Sequence, residues 1–331
     1  MLKTERAIAI KSHEHNFVNL CLVIYDLYMS IIVFGSINID LVVTTSRLPV
    51  AGETLLGKQF FITPGGKGAN QAVTLAKLEI PTLMIGRVGN DTFGAELIKN
   101  LQISGVHTEN ILIDKSVSSG VAVITVDHAG DNNIIVIPGA NGKVNQEDVK
   151  KLSYLLPIAT AILLQLEIPI EAVVAAAQAA KNVNIIVILD PAPVQSQLPD
   201  ELYPLIDIIT PNEIEASQLV GFPVNGEETA AKAANILLQR GVKCAVIKLG
   251  AKGVYCSTME EAFFTPPFPV HAIDTVAAGD AFNGGLAAAL FHKLPLREAV
   301  VWGAATGALA TTKSGAQSSL PDRITLDKFL G

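Results

Sequence analysis

The sequence predicts an α/β protein with a doubly wound, mostly parallel sheet that is flanked by helices and carries a small β-sheet lid. The first observation is a repeated pattern: a short β-branched apolar run ends in a polar, Gly or Pro cluster, and an Ala-rich helical stretch follows. This pattern is typical of βαβ units, whose strands are buried on both faces. The second observation is that two stretches break the pattern and alternate like strands joined by hairpin turns.

Four apolar runs are predicted as strands of the main sheet, and two stretches beside them as helices. The predicted strands are 161–164, 185–189, 206–209 and 245–247, and the predicted helices are 171–181 and 227–240. Gly241 is expected to end the second helix, because glycine readily adopts the left-handed conformation found after helices. Ligands of open parallel sheets lie beyond the carboxyl ends of the strands. Glu167, Asp190, Asn212 and Gly250 follow predicted strands and are expected near that edge.

The stretches that break the pattern predict the lid. One spans about 39–63, and the other about 119–138, where two alternating runs surround the turn 128–131. We assign both to one domain, residues 31–331, as a discontinuous flanking sheet. A sheet on the strand-end side would exclude water from a group-transfer site.

Residues 1–30 differ from this domain and are predicted to be an N-terminal extension. Residues 1–16 are polar and irregular. The apolar segment 17–34 is interrupted by polar residues and lacks a cleavage pattern of small residues, which argues against a secretory signal. Met29 lies just before the first strand-like run, so we expect the native start there.

Composition excludes several classes of protein. The 331 residues include 24 Lys and Arg against 31 Asp and Glu, a formal net charge of −7, so no broad basic surface for nucleic acid or an anionic membrane is expected. Apolar residues reach 50%, but no window approaches the roughly 18 uninterrupted apolar residues of a spanning helix. The three cysteines are odd in number and lack a CxxC pair, which favours a reducing, cytoplasmic location over a disulfide framework or a zinc site.

The first candidate motif is the segment 64–71, in which three glycines within four residues lead into a predicted helix, 69–78. Glycines let the main chain approach a ligand closely, and free amides at a helix start bind oxygen atoms. Asn70 lies at this start, where its side-chain amide can bridge two hydroxyls. The alternative is an ordinary loop that needs positive φ angles.

The second candidate motif is the segment 274–285, a loop of small residues that leads into a predicted helix, 281–291. The helix start offers unpaired amides and the positive end of the helix dipole to an anion. Asp280 lies at this start, where its carboxylate can either accept a proton or only cap the helix. An anion-binding turn beside a carboxylate is the combination that phosphoryl transfer to a hydroxyl requires.

Other catalytic and cofactor motifs do not occur. The sequence contains no GxxxxGK[ST], no GxGxxG after a strand, no HExxH and no GxSxG. A P-loop nucleotide site is therefore excluded, and a dinucleotide-dependent oxidoreductase is disfavoured.

Three segments, 35–40, 65–72 and 274–283, together resemble the two signatures of the ribokinase-like (PfkB) carbohydrate kinases. The resemblance runs from about Ile31 to the C-terminus and includes 165–167, 190–193, 210–213 and 315–317. It implies ATP-dependent phosphorylation of D-ribose at its 5-hydroxyl. It also implies Mg²⁺ with the ATP, activation by K⁺ or another monovalent cation, and a homodimer joined through the lid.

The resemblance also implies a role for each matching residue. Asp280 would be the general base, and the amides of Ala277, Ala278 and Gly279 would form the anion hole. The sugar would be bound by Asn38, Asp40, Gly66, Lys67, Gly68, Ala69, Asn70, Glu167 and Asp280. The nucleotide would be bound by Asn212, Glu215, Lys248, Leu249, Gly250, Ala251, Lys252, Gly253, Gly279, Asp280 and Ala304. The monovalent cation would be bound by Asp274, Val276, Ala310, Lys313, Gly315 and Ser319.

Two positions depart from the family pattern. Lys248 stands where many relatives carry a small hydroxyl residue, and Ala304 stands where a polar or imidazole side chain often lines the adenine pocket. The nucleotide preference is therefore less determined than the sugar preference, and Lys248 could itself meet a phosphate. Three alternatives stay open: a kinase for another furanose or a nucleoside, a sugar-binding sensor without catalysis, and an assembly protein that pairs through the lid.

Overall fold

The computed structural model describes residues 30–128, 130–194 and 197–331. The expected start at Met29 and residues 1–29 of the predicted extension lie outside the described residues, whereas Ser30 begins the first strand. The strands are β1 (Ser30–Phe34), β2 (Asn38–Thr44), β3 (Gln59–Gly65), β4 (Thr82–Gly89), β5 (Ile111–Asp114), β6 (Gly120–Val126), β7 (Asn132–Ile137), β8 (Ala159–Leu164), β9 (Ile186–Leu189), β10 (Ile208–Ile209), β11 (Cys244–Lys248), β12 (Val254–Thr258) and β13 (Ala262–Thr265). The helices are α1 (Lys67–Lys77), α2 (Thr92–Ile103), α3 (Gln146–Leu155), α4 (Ile170–Asn182), α5 (Glu213–Val220), α6 (Glu227–Gln239), α7 (Ala278–Phe291), α8 (Leu296–Ala310) and α9 (Arg323–Leu330).

The main sheet contains nine strands of the described chain, in the order β13-β12-β11-β10-β9-β8-β1-β4-β5. The strands from β11 to β5 pair in parallel, and β12 and β13 extend the sheet in antiparallel pairing. From β1 the chain builds first toward β4 and later returns to β8 on the other side. The strand order therefore reverses at β1, and ligands of such sheets bind in the crevice at this point.

Helices cover both faces of the main sheet, as the predicted doubly wound fold requires. Two apolar clusters fill the two layers, one under α1, α2, α7, α8 and α9 and the other under α3 to α6. Successive residues of β1 point to opposite layers: Ile31 and Val33 belong to the first cluster, and Ile32 and Phe34 to the second. This burial of both strand faces explains the continuous apolar runs in the sequence.

The small sheet is separate from the main sheet and has the order β3-β2-β6-β7. β6 and β7 form the hairpin predicted around 128–131, and β2 and β3 also pair in antiparallel. β2 and β6 pair in parallel, with Asn38 opposite Gly120, which joins the two separate stretches into one sheet. The predicted fold class, including this second sheet, is confirmed.

One predicted strand is shorter than expected. The run 206–209 contributes only the two residues of β10, and beside it the Asp207 carboxylate accepts the N–H of Val187 at 2.9 Å. Lys181 also donates to this carboxylate at 2.9 Å.

Among the described residues, no helix is both long and apolar enough to cross a membrane.

Candidate active site

The glycine loop packs against the turn that follows β1. A Cβ atom at Gly66 would lie 2.7 Å from the amide nitrogen of Asn38, and one at Gly68 would lie 2.7 Å from that of Ser36. Gly66 also has a φ of +89°, which L side chains rarely adopt. Gly66 therefore satisfies the positive-φ interpretation, and both glycines bring the first turn of α1 to the point where the strand order reverses.

Glu167 follows β8 and holds the start of α1 from the opposite side. Its Oε2 atom accepts the hydroxyl of Ser36 at 2.5 Å and the main-chain N–H of Lys67 at 3.0 Å. A carboxylate at the N-terminus of a helix is stabilised by the helix dipole. The other oxygen, Oε1, has no hydrogen-bond partner among the described residues, so it is available to a ligand in the crevice.

The second helix start lies across the crevice. α7 begins at Ala278, three residues earlier than the sequence predicts, because Ala277 adopts a left-handed conformation with φ 60° and turns the chain into the helix. The N–H of Ala278 donates to the carbonyl of Thr275 at 3.2 Å, so one of the three predicted anion-hole amides has an internal partner. Asp280 lies in the first turn of α7 and makes no capping hydrogen bond.

The Asp280 carboxylate joins the two helix starts. Asn70 Nδ2 donates to its Oδ2 at 2.8 Å, and Gln71 Nε2 donates to its Oδ1 at 3.3 Å. Asn70 is itself held by Gln317, whose Nε2 donates to Asn70 Oδ1 at 3.3 Å. Asp280 is 5% exposed, so its carboxylate is shielded from open solvent. The alternative of a simple helix cap does not fit these contacts.

Gln71 extends this network into the main sheet. Its Nε2 also lies 3.2 Å from Asp190 Oδ2, and its Oε1 accepts from Gln165 Nε2 at 2.7 Å. Gln165 and Asp190 directly follow β8 and β9, so the network connects neighbouring strand ends with both helix starts. Buried polar networks of this kind fix the positions of their hydrogen-bonded members, and in this one Gln165 Oε1 has no partner among the described residues.

Burial and like charge alter the protonation of the two central carboxyls. Burial, and then the charges of Glu167 and Asp280, raise the pKa of Asp40 to about 7. Burial raises the pKa of Asp280 to about 6, although the Lys67 ammonium acts in the opposite direction. Burial alone would lower the pKa of Lys67, but the surrounding carboxylates, Asp280 first, raise it. Lys67 therefore stays charged and favours the ionised form of Asp280, which a general base needs.

Asn38 and Asp40 reach the crevice from β2 of the lid. Asn38 Oδ1 accepts from Asn141 Nδ2 at 2.7 Å, and Asn141 also receives the N–H of Ile37 at 2.9 Å, which fixes the start of β2. Asp40 packs against Gly65 on β3, where a Cβ atom would lie 2.2 Å from its carboxylate. Both predicted sugar ligands are buried, at 2% and 7% exposure.

The predicted nucleotide residues gather at the ends of β10 and β11. Asn212 caps α5, and its main-chain N–H and side-chain amide donate to Glu215 at 2.8 and 2.9 Å. Burial raises the pKa of Glu215, and the Lys248 ammonium opposes this shift. The loop 249–253 contains a 3-10 turn, Gly250–Lys252, and Lys252 Nζ donates to Glu213 at 2.8 Å.

The two departures from the family pattern both lie beside α7. Lys248 ends β11, and its Nζ lies 3.2 Å from Asp190 Oδ1. A Cβ atom at Gly279 would lie 3.4 Å from this nitrogen, so the ammonium borders the predicted anion-binding turn. Ala304 is partly buried on α8, where it packs against the apolar cluster that also contains Phe282.

The predicted cation residues come from two loops that meet beside α7. The Asp274 carboxylate accepts the N–H of Val276 at 3.0 Å and that of Gly315 at 2.9 Å. The N–H of Asp274 also lies 3.1 Å from the carbonyl of Thr311, just after Ala310 ends α8. In this segment Lys313 is exposed and Ser319 is buried. The atoms that could coordinate a cation here are mainly carbonyl and carboxylate oxygens, which suit a hard monovalent cation.

Four residues that hold the site side chains or the turns that carry them were missed as site residues: Ser36, Gln71, Asn141 and Gln165. Ser36 and Gln71 lie inside the signature segments, and Gln165 directly precedes Leu166 and Glu167, so the sequence carries a signal for these three residues. Asn141 lies in the 3-10 turn Gly139–Lys143 after the lid and carries no local pattern that would predict a site.

Comparison with known proteins gives a consistent result. The model of the pfkB family carbohydrate kinases matches residues 29–323. The chain is 41% identical over 298 residues to a ribokinase of Haemophilus influenzae. This alignment covers 90% of this chain and 97% of the relative. It is 36% identical over 302 residues to a deoxyribokinase of Salmonella typhimurium, covering 91% and 99%. The structure of an Arabidopsis thaliana ribokinase complexed with ribose and ATP matches with a TM-score of 0.84 at 34% identity, covering 91% of this chain and 98% of that chain.

The fold and the paired helix starts define an enzyme that transfers a phosphoryl group to a small hydroxyl-bearing substrate. With the family match over most of its length, the chain belongs to the pfkB family of carbohydrate kinases. Its reaction is the phosphorylation of a sugar hydroxyl.

Proposed function

We propose that the protein transfers the terminal phosphoryl group of ATP to the 5-hydroxyl of D-ribose and releases ribose 5-phosphate and ADP. The observation that carries this proposal is the position of Asp280. Its buried carboxylate lies at the N-terminus of α7 and within hydrogen-bond distance of Asn70 and Gln71 at the start of α1. A proton acceptor and an anion-binding helix start thus occupy the same crevice.

In this reaction Asp280 accepts the proton of the sugar hydroxyl as the hydroxyl oxygen forms a bond to the terminal phosphorus. The bond between that phosphorus and the bridging oxygen breaks, and ADP departs with the electron pair. The amides of Ala277 and Gly279 stabilise the charge on the phosphoryl group in transit, and the amide of Ala278 joins them when it leaves the Thr275 carbonyl. A positioned base of this kind contributes roughly 10²–10⁴-fold to the rate.

The sugar subsite is formed by the lid edge and the glycine loop. Asp40 and Asn38 offer buried oxygen and amide groups from β2, and Asn70 and Glu167 offer them from the opposite wall. Several hydroxyl partners fixed by hydrogen bonds favour a small polyol over an apolar acceptor. The main chain of Gly66, Lys67, Gly68 and Ala69 completes this subsite.

The nucleotide subsite is formed by the loop 248–253 with Asn212, Glu215 and the backbone around Ala304. Mg²⁺ bound with ATP neutralises charge on the phosphates. Glu215 would order this ion through water and Asn212 would order a phosphate directly, since both are oxygen-bearing side chains at the strand ends. Glu215 and Asn212 are held by mutual hydrogen bonds, so they present a preformed arrangement.

The acceptor is tested by a coupled ADP-release assay with ribose, deoxyribose, fructose, adenosine and uridine. We expect the highest kcat/KM with ribose. The deoxyribokinase relative makes deoxyribose the second candidate, since the two sugars share the 5-hydroxyl. Equal or better turnover of fructose would overturn ribose as the substrate, and preference for deoxyribose would reassign the sugar while keeping the reaction.

We also propose activation by K⁺. The support is that Asp274 ties the loop 274–276 to the loop around Gly315, directly before the α7 start, so an ion held there would steady the anion-binding turn. Rates are compared in K⁺, Li⁺ and an organic cation at equal ionic strength. Equal rates in all three salts would contradict this proposal.

The lid is proposed to join two copies of the chain in a cytoplasmic homodimer. Its outer strands β3 and β7 carry exposed apolar side chains. Monomeric proteins seldom expose large contiguous apolar patches, so this surface favours an interface between proteins. The exposed residues are Phe60, Phe61, Ile62, Ile134, Ile135, Val136 and Ile137. Light scattering on the wild type and on a Phe60→Ser/Ile135→Ser variant measures the assembly, and a monomeric wild type would contradict it.

A further inference from the structure

Lys248 occupies a position between three functional elements. Its main chain begins the nucleotide loop and bridges to Asn212. Its ammonium lies 3.2 Å from Asp190 and borders Gly279 at the start of α7. The side chain is 12% exposed and that of Asp190 is 3% exposed, so this ion pair is largely removed from water. Such a pair involves a large desolvation cost and is weak support for a purely stabilising role.

The geometry leaves the ammonium with spare donors. An ammonium has three N–H donors and no acceptor. Among the described residues, one hydrogen bond to Asp190 is formed, and the Phe282 ring lies 5.9 Å from the nitrogen. Since Asp190 also accepts from Gln71, its carboxylate has a second partner that keeps it in place when the ammonium turns away.

The charges of the crevice are distributed unevenly. On the sugar side, Asp280 and Glu167 act on both Lys67 and Asp40, whereas Asp190 and Glu215 also act on Lys67 and draw its charge toward the strand ends. On the nucleotide side, Lys248 is the basic side chain that lowers the pKa of Glu215 most strongly. A phosphate chain entering between these walls therefore meets Lys248 next to the helix start.

We propose that Lys248 binds the terminal phosphoryl group of the nucleotide during its transfer, with Asp190 as its resting counter-ion. This inference rests on the proposed kinase reaction and adds a residue-specific role to it. The ammonium supplies a mobile positive charge, and the fixed amides of α7 supply directed hydrogen bonds to the same group. The step adds no bond and moves no proton, because the ammonium stays charged throughout. Asp190 acts as a positioning residue.

The experiment compares nucleotides that differ in the terminal phosphate. Binding of ADP and of a non-hydrolysable ATP analogue, each with Mg²⁺, is measured by calorimetry without sugar. We expect Lys248→Met to weaken the ATP analogue about tenfold and ADP less than threefold, and to lower kcat by roughly 10–100-fold. Lys248→Arg, which keeps the charge, should recover most of the affinity for the analogue.

Two further variants separate this role from a structural one. Lys243→Met removes a lysine just before β11, at the opposite end of the strand, where it pairs with Asp207, and should leave both affinities within threefold. Because Lys248→Met leaves Asp190 buried without a cation, the double variant Lys248→Met/Asp190→Asn removes both charges. We expect it to fold and to keep the selective loss of affinity for the ATP analogue.

Equal losses for ADP and the analogue, or no loss for either, would overturn the proposal. Because these binding measurements contain no sugar, they report on Lys248 even if ribose is not phosphorylated. If ribose is not phosphorylated but Lys248→Met still weakens the ATP analogue more than ADP, ribose is rejected as the acceptor and the role of Lys248 is retained.

Discussion

The sugar side and the nucleotide side of the crevice are built from different kinds of groups. On the sugar side, Asn70, Gln71 and Asp280 are 6%, 0% and 5% exposed, and they hold one another through side-chain hydrogen bonds. On the nucleotide side, the turn Gly250–Lys252 contains no buried residue, and its shape comes from the main chain. The first side depends on side-chain identity, whereas the loop 249–253 of the second side depends on backbone geometry.

This difference predicts unequal sensitivity to substitution. Removing one member of a buried polar network leaves its partners without hydrogen bonds, which costs about 1–3 kcal/mol for each buried group. An exposed side chain on a turn can be replaced by water, and surface ion pairs contribute about 0–1 kcal/mol. The following substitutions test whether the two sides differ in this way.

The largest effect is expected for Asp280→Asn. The amide keeps the size of the side chain but cannot accept the proton of the sugar hydroxyl, so kcat should fall by on the order of 10² or more. Sugar binding, measured by calorimetry, should stay within a few-fold because most hydroxyl partners remain. Unchanged turnover would remove Asp280 from the reaction and favour the sensor without catalysis.

A smaller, pH-dependent effect is expected for the sugar-side carboxyls. The reaction needs Asp280 ionised, and its pKa is raised to about 6 by burial, so kcat/KM should fall as the pH decreases through 6. The pKa of Asp40, raised chiefly by burial, is about 7. Asp40→Asn should therefore remove the part of the pH profile near 7 and weaken sugar binding. A profile that is flat between pH 5.5 and 8 would contradict these assignments.

The same raised pKa has an opposite consequence for stability. The pKa of Asp40 is about 7 in the folded protein, well above the ordinary value of an Asp carboxyl, so the folded protein binds this proton more tightly than the unfolded chain does. The contribution of this group to the free energy of unfolding is fully present below pH 4 and is lost as the pH rises through 7. Relative to wild type, Asp40→Asn should thus be stabilised by about 1–3 kcal/mol at pH 8 and little changed at pH 4, measured by thermal unfolding. A destabilised variant at pH 8 would show that the Asp40 carboxylate supports the fold.

The smallest effect is expected on the nucleotide side for Lys252→Met. Lys252 joins the loop to Glu213 and to the carbonyl of Asn225, and its side chain is 57% exposed. Loss of this surface pair should raise the KM for ATP by about two- to threefold and leave kcat unchanged. A hundredfold rise in the KM for ATP would contradict the expected difference in sensitivity to substitution between the two sides of the crevice.

Local sequence patterns determined much of the architecture. Continuous apolar runs predicted buried parallel strands, and β8, β9 and β11 lie where these runs were found. Alternation around 128–131 predicted the hairpin of the lid. These features depend on the burial of neighbouring residues, which a short stretch of sequence records directly.

The position of Asp280 could also be predicted, because a loop of small residues before a helical stretch indicates a helix start. Its partners could not. Asn70 and Gln71 lie about 210 residues away along the chain, and Gln165 reaches Gln71 only because β8 lies next to β1 in the sheet. Strand order, and not local pattern, brings these side chains together.

By itself, the sequence thus determined the main strands β8, β9 and β11, the hairpin of the lid and the carboxylate near the start of α7. Only the tertiary structure decided that Gln71 joins Asp280 to Asp190, that β2 and β6 pair in parallel, and that Lys248 borders Gly279. The physical reason is that periodic burial is a property of adjacent residues. Hydrogen bonds and ion pairs across the crevice depend on which distant strand ends the packing of the whole chain places side by side.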